Sequence, residues 1–196
     1  EFVSVAVQLG KSMEEGQAAY RNGVEALRNV QEKIKNRGRE VLAELEKDPQ
    51  KTAIVLFGRY YNAFASEANM GIPEKFASRG ITLIPWDFLP YQNENVEFEV
   101  NWAIGQNLMK ASKFVASHPQ LFAAYITNFS CGPDSFLLTY FRDYMEMKPS
   151  LTLELDSHTA DAGINTRIEA FWDIIERFRK VGFFKKDDSG FKPAEI

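Results

Sequence analysis

Cys131 is the only cysteine of the chain, and it lies in Thr127-Asn-Phe-Ser-Cys-Gly-Pro-Asp-Ser135. An apolar run precedes it, and Pro133 suits the first turn of a following helix. A sulfur at a helix N-terminus faces the positive end of the dipole, which favours the anion that attacks electrophiles or binds iron. The plain alternative is an inert cysteine packed as a small hydrophobe; its polar Gly-Pro setting weighs toward chemistry. A second apolar run, Leu151 to Leu155, empties into Asp156-Ser-His-Thr-Ala-Asp161. There Asp156 stands two residues before His158 and is placed to orient its imidazole, a potential base or ligand; a hydrogen-bonded loop histidine is the competing reading. The other histidine, His118, precedes Pro119 and reads as a partner for a helix C-terminal dipole.

These residues need a scaffold, and the chain supplies one of recognisable rhythm. Ser12-Met-Glu-Glu15 fits a capping box. Behind it Val24, Leu27, Val30, Ile34, Val41, Leu42 and Leu45 recur at helical spacing. The pattern predicts one long helix, or two joined near Asn36-Arg-Gly38, ended by Asp48-Pro49. Four short apolar runs follow as predicted strands: Thr52–Phe57, Ile81–Ile84, Leu121–Thr127 and Leu151–Leu155. Between and after them the pattern predicts helices over Ile72–Arg79, Val96–Ser117, Phe136–Met145 and, from a second capping box at Thr166-Arg-Ile-Glu169, to about Lys180. Ala6 and Val7 are read as part of a possible fifth strand. The expected organisation is a helical segment over 1–50, an α/β domain over 51–182 and a polar tail over 183–196.

Strands alternating with helices indicate βαβ units and a mostly parallel sheet of four or five strands with helices on both faces, a three-layer Rossmann-like domain. Continuous apolar strands agree, because both faces are covered. Parallel crossovers send every strand the same way, so all four post-strand loops share one edge. On that edge stand Arg59, Tyr60, Tyr61, Asn62, Trp86, Asp87, Asn128, Ser130, Cys131, Asp134, Asp156, His158, Thr159 and Asp161. Convergent polar groups beside aromatics at such an edge are the default signal of a site, although Asp and Asn also cap helices and close turns.

Other classes are disfavoured. A net charge of −4 with dispersed basic residues gives no nucleic-acid footprint. No run approaches the ~20 apolar residues that span a bilayer, so no membrane role is expected. One cysteine excludes an intramolecular disulfide and suits a reducing cytoplasm. Phosphate-binding loops, Cys-x-x-Cys and His-Glu-x-x-His are absent from the sequence. The chain starts at Glu1 without methionine, which suggests a piece of a longer protein.

The runs Gly71-Ile-Pro-Glu-Lys-Phe-Ala-Ser-Arg-Gly-Ile81, Ile84-Pro-Trp-Asp-Phe-Leu-Pro90, Thr127 to Phe136 and Leu153-Glu-Leu-Asp-Ser-His-Thr-Ala-Asp-Ala-Gly163 resemble the acyl-CoA dehydratase activase-related proteins, often labelled CoA-substrate-specific enzyme activases. The resemblance covers about residues 50 to 175. It lies in the region related to 2-hydroxyacyl-CoA dehydratase and benzoyl-CoA reductase subunits. It implies a Rossmann-like domain, an iron–sulfur cluster with Cys131 as one ligand, and low-potential electrons delivered by an ATP-hydrolysing activase. It also implies partners: other domains or subunits of a larger protein, and acyl-CoA. Asp87, Asp134, Asp156 and His158 would line or tune such a site. Tyr60 stands where the family's Gly-x-Pro-Tyr-Asn pattern usually has proline. The family's ATPase phosphate motifs do not occur in this chain, so no ATPase activity is carried over. The alternative implied role is a non-catalytic docking or CoA-ester-binding domain. A cysteine-dependent transferase is a third reading, and it needs a base within reach of the sulfur.

Overall fold

The computed structural model describes residues 1–97, 101–128, 130–181, 184–187 and 190–193, the last two segments as backbone only. Two helices open the chain, α1 (Phe2–Gln8) and α2 (Met13–Glu46). The capping box forms as read: the Glu15 N–H donates to Ser12 Oγ at 3.1 Å, and the Ser12 N–H donates to the Glu15 carboxylate at 2.8 Å. Strand β1 (Ala53–Phe57) is followed by the short helices α3 (Tyr60–Ala63) and α4 (Ile72–Ala77), then β2 (Thr82–Pro85). Helix α5 (Ala103–Ser117), β3 (Leu121–Asn128), α6 (Gly132–Met145), β4 (Ser150–Leu155) and α7 (Asp161–Val181) complete the alternation.

All the pairings of this four-stranded sheet are parallel, in the order β2-β1-β3-β4. Side chains alternate between its faces. Val55, Phe57, Ala123 and Tyr125 pack with Leu42 and Leu45 of α2, Leu108 of α5 and Phe141 of α6. Ile54, Leu56, Phe122, Ala124 and Ile126 pack with Phe76 of α4 and Ile168 and Phe171 of α7. The result is the expected α/β three-layer, Rossmann-like arrangement, with both faces of the sheet dry. Among the described residues no helix is long and apolar enough to cross a membrane.

Four readings of the sequence need correction, and for α2 the first of the two alternatives holds. Ala6 and Val7 are helical, not a strand; α1 folds back on α2, where Ala6 and Val3 close over Gly16. Helix α2 runs unbroken through Asn36–Gly38. Gly38 is there because the Phe88 carbonyl presses where a Cβ would stand, so this glycine marks a close approach rather than a hinge. Helix α5 begins at Ala103 rather than Val96. Helix α7 begins at Asp161, and Thr166, read as its cap, lies inside it with its hydroxyl donating to the Ala162 carbonyl at 3.1 Å. The supposed polar tail contains two antiparallel strands, β5 (Phe184–Asp187) and β6 (Gly190–Pro193).

The strand order sets the position of the site. From β1 the chain passes to β2 on one side, then crosses to β3 on the other. The order therefore reverses between β1 and β3, and open α/β sheets place ligands outside the carboxyl ends of strands at such a switch point. Pairing of β1 with β3 ends at Phe57–Tyr125, whereas β3 continues beside β4 to Asn128–Leu155. A notch opens where β1 stops.

Candidate functional site

Gly58 turns the chain out of β1 at φ +141°, in the region that favours glycine. A Cβ here would lie 2.6 Å from the Ile126 carbonyl oxygen and 2.8 Å from Ala63 Cβ. The absent side chain lets the turn lie against β3 and directs Arg59 into the notch. Its Nε donates to Asp134 Oδ1 at 2.9 Å, and a terminal nitrogen donates to Cys131 Sγ at 3.4 Å. Asp134, in the first turn of α6, is 1% exposed. Its second oxygen accepts the Thr127 hydroxyl at 2.8 Å. Burial works against the Arg59 charge, but the Asp134 carboxylate outweighs it and holds the guanidinium above its ordinary pKa.

Cys131 is the N-cap residue of α6 and is partly exposed. Its N–H donates to the Asn128 carbonyl at 3.1 Å across a tight turn. In that turn Ser130 has φ +59°, an uncommon conformation for a side-chain-bearing residue. Beneath the cluster lies Tyr125, a β3 residue whose hydroxyl is buried without a hydrogen-bond partner. Burial, and after it the Asp134 charge, pushes its phenol well above the usual range. The side-chain oxygen of Asn62 is also buried and unpartnered, while its amide donates to the Ile126 carbonyl at 3.5 Å.

The residues match the CoA enzyme activase uncharacterised domain (DUF2229) over 1–89. Over these residues the chain is similar to a CoA enzyme activase-related domain. The match runs from α1 through Trp86 and Asp87, so it contains Arg59 and Asn62 and stops before Cys131 and Asp134. No curated protein and no solved structure matches the chain.

The predicted edge residues fall into three groups. Arg59, Cys131 and Asp134 form one connected cluster, bounded by Asn62, Asn128 and Ser130. Trp86 and Asp87 belong to a second. Trp86 is buried, with its indole N–H donating to the Gly58 carbonyl at 3.0 Å, and it pins the β2 and β1 turns together. Asp87 receives the Tyr60 hydroxyl on Oδ2 at 3.3 Å, while its Oδ1 is buried and unpartnered.

Asp156, His158, Thr159 and Asp161 form the third group, and their hydrogen bonds close the β4–α7 turn. Asp156 Oδ1 accepts the backbone N–H of His158 at 2.8 Å and the Thr159 hydroxyl at 2.9 Å. The Asp156 carboxylate thus orders the backbone around His158, not the imidazole as expected. The Thr159 hydroxyl and the two backbone N–H groups hold its pKa below the usual carboxylate range. Asp161 lies in the first turn of α7 and pairs with Lys75 at 2.7 Å.

The sulfur's hydrogen-bond partner is Arg59, an always-charged donor that cannot serve as a base. His118 stands at the C-terminus of α5. Its Nδ1 accepts the Gln120 N–H at 3.3 Å, leaving Nε2 to face Glu46 at 3.2 Å, and burial holds its pKa below the ordinary value.

Sequence reasoning missed Lys35, Tyr91, Tyr125 and Lys148. Nothing in the local sequence sets these two lysines and two tyrosines apart from ordinary surface charges and core aromatics. Lys148 is 6% exposed and donates to the Val115, Ala116 and His118 carbonyls at the end of α5. Burial lowers its pKa to about 7. The one available signal was its place just before β4.

Proposed function

We propose that this domain serves a CoA enzyme activase-related system by offering Cys131 as one ligand of an iron–sulfur cluster shared with another part of the assembly, which an ATP-dependent activase supplies with electrons. The supporting observation is the sulfur itself. It is partly exposed at the switch point, at the start of a helix, and it accepts a hydrogen bond from a guanidinium.

The residues present fit one corner of such a centre and not a whole one. Clusters are held by about four cysteine thiolates, whereas this chain has one. Among the described residues no group of three or more His, Cys, Asp or Glu is placed to hold a metal ion. When bound, a cluster would supply one-electron transfer at low potential. The chain's own contribution is electrostatic. Arg59 stabilises negative charge on the sulfur, Asp134 fixes the guanidinium, and the Thr127 hydroxyl fixes Asp134. Hydrogen bonds and charge around the sulfurs are what set a cluster's potential. A reducing cytoplasmic setting suits this role.

The test is iron and sulfide content after anaerobic purification of the protein from its natural host, wild type against Cys131→Ser. Loss of iron in the variant is expected; unchanged iron removes Cys131 from the metal. A second reading, a non-catalytic docking or CoA-ester-binding domain, is supported by the single cysteine of this chain, too few to hold a cluster alone. Iron-free natural protein that binds a CoA ester selects it.

A further inference from the structure

Helix α2 carries one apolar stripe along most of its length. Tyr20, Val24, Leu27, Ile34, Val41 and Leu45 fall on it at heptad spacing, the pattern of a helix that packs along a second helix. Its two halves fare differently. From Gly38 to Leu45 the stripe is taken into the domain, with Gly38 against the Phe88 carbonyl and Leu45 in the core. From Met13 to Lys33 the only buried residue of the helix is Gly16, which α1 covers. Helix α1 reaches no further than Tyr20, where the Phe2 ring stacks at 5.8 Å. Beyond it Leu27 is 58% exposed and Val30 beside it 52%. At 1.5 Å per residue, roughly 30 Å of helix stands clear of the domain. Helices in proteins owe most of their stability to the packing of an apolar face, and this stretch of the face lies open.

The charges beside the stripe select what covers it. One flank carries Arg21, Glu25, Arg28 and Glu32, opposite signs in alternation. The other runs through Ala19, Gly23, Ala26 and Val30 and meets its first charge at Lys33. Nearer the domain the charges of α2 pair locally, Arg37 with Glu40 at 3.0 Å and Lys47 with Glu44 at 2.6 Å. Among the described residues Arg21, Glu25 and Arg28 have no ion-pair partner, and Glu32 has only Arg39, at 3.9 Å. A uniformly acidic helix laid on the stripe meets Glu25 and Glu32; a uniformly basic one meets Arg21 and Arg28. A lipid surface favours a basic polar face, which the two glutamates interrupt. An alternating row is the complement of itself read backwards. A second copy laid antiparallel, with the two-fold axis at the Val24–Leu27 layer, sets Glu25 beside Arg28 of the other copy and Arg21 beside Glu32, each pair formed twice. The cations of opposite copies also approach along this flank, and the interleaved glutamates separate them. In the same register Met13 comes level with Gly38, so the overlap ends where the stripe enters the domain. A parallel pair would set Arg21 and Arg28 beside the uncharged flank and gain no ion pair.

We infer that the projecting part of α2 is a self-association surface, on which a second copy of this chain packs antiparallel to close the stripe and form a symmetric dimer. Gly23 faces open space, so the uncharged flank admits a close approach. Antiparallel packing also brings the positive end of one helix dipole beside the negative end of the other. The inference uses none of the residues that touch Cys131, so it stands or falls apart from the iron reading.

Sedimentation velocity of the full 196-residue chain tests it. Between about 1 and about 100 μM the wild type should pass from 22.4 kDa to twice that mass. Leu27→Asp should weaken the dimer about 100-fold, because it buries a carboxylate from each copy in the central layer. Leu27 is exposed in the single chain, so the fold of the monomer is not at stake. Glu25→Arg and Arg28→Glu, each alone, should weaken the dimer about tenfold, since like charges then face each other across the axis. Mixed in equal amounts, these two variants should associate about as tightly as the wild type, because one chain brings only cations to the pair and the other only carboxylates. Parallel or unspecific apolar association gives no such recovery. The inference is overturned if the wild type stays monomeric at about 100 μM, also where the stripe then takes up lipid vesicles or a helix of another protein. It is overturned as well if the dimer survives Leu27→Asp, or if the mixture associates no more tightly than either variant alone.

Discussion

Arg59 and Tyr60 are neighbours in sequence, yet they serve two carboxylates in very different circumstances. Asp134 has a cation at 2.9 Å, a hydroxyl on its other oxygen, and a fixed place in a helix. Asp87 has a phenol on one oxygen and nothing on the other. Each lies at the carboxyl edge of the same sheet, and each is withdrawn from water. The first is a completed structural pair beside a thiol. The second has one oxygen sealed from solvent without a partner, in a residue that lines a cleft. The comparison shows that withdrawal from water by itself says little about function; what matters is whether the protein has already supplied the partner.

The largest effect is expected at the completed pair. Asp134→Ala leaves Arg59 and Thr127 without their partner and should cost about 3 kcal/mol in denaturant unfolding. A cost near zero would erase the distinction between the two carboxylates. Arg59→Met should come next, at about 2 kcal/mol near neutral pH. It leaves Asp134 a buried carboxylate without its guanidinium partner.

At Asp87 the sign reverses. Its folded pKa is raised by burial, so the unfolded chain ionises first and ionisation weighs against folding as the pH climbs through the carboxylate range. Asp87→Asn should therefore raise the melting temperature at pH 7, by about 2 °C, with the gain vanishing in acid. A loss of stability at pH 7 would mean that the ionised carboxylate is satisfied in the native protein.

The smallest effect concerns Lys35. Its folded pKa of about 8 lies below the ordinary 10.5. The unfolded chain then holds the extra proton between those values, and stability from this group rises with pH across that window. Lys35→Met should flatten that segment of the stability curve. Asp87→Asn removes the charge that partly offsets the burial of Lys35, and should move its titration, followed by NMR, further down.

Much of the scaffold was legible in the chain. Ala53–Phe57 and Leu121–Asn128 are continuous apolar runs, and only a strand covered on both faces needs that pattern. Ser12 and Glu15 announced α2 because a capping box is a local device. The start of α7 was misread for the opposite reason. Asp161, joined to Lys75 of α4, begins the helix five residues before the more familiar Thr-x-x-Glu pattern. Of the edge residues, Asp156 and Thr159 carry the same side chains a site would use, and only their hydrogen bonds identify them as closing a turn.

The sequence by itself determined that four strand ends meet on one edge and that Cys131 begins a helix there, because apolar period and capping are local properties of the chain. Which cation faces which carboxylate was decided only by tertiary structure. Arg59 reaches an aspartate 75 positions away because β1 stops short beside β3 and Gly58 has no side chain to hold them apart. Lys35 reaches the Asp87 turn because Gly38 lets α2 settle onto the Phe88 carbonyl. Coulomb and hydrogen-bond energies fall off within a few ångströms, and distances that short between remote residues are set by packing.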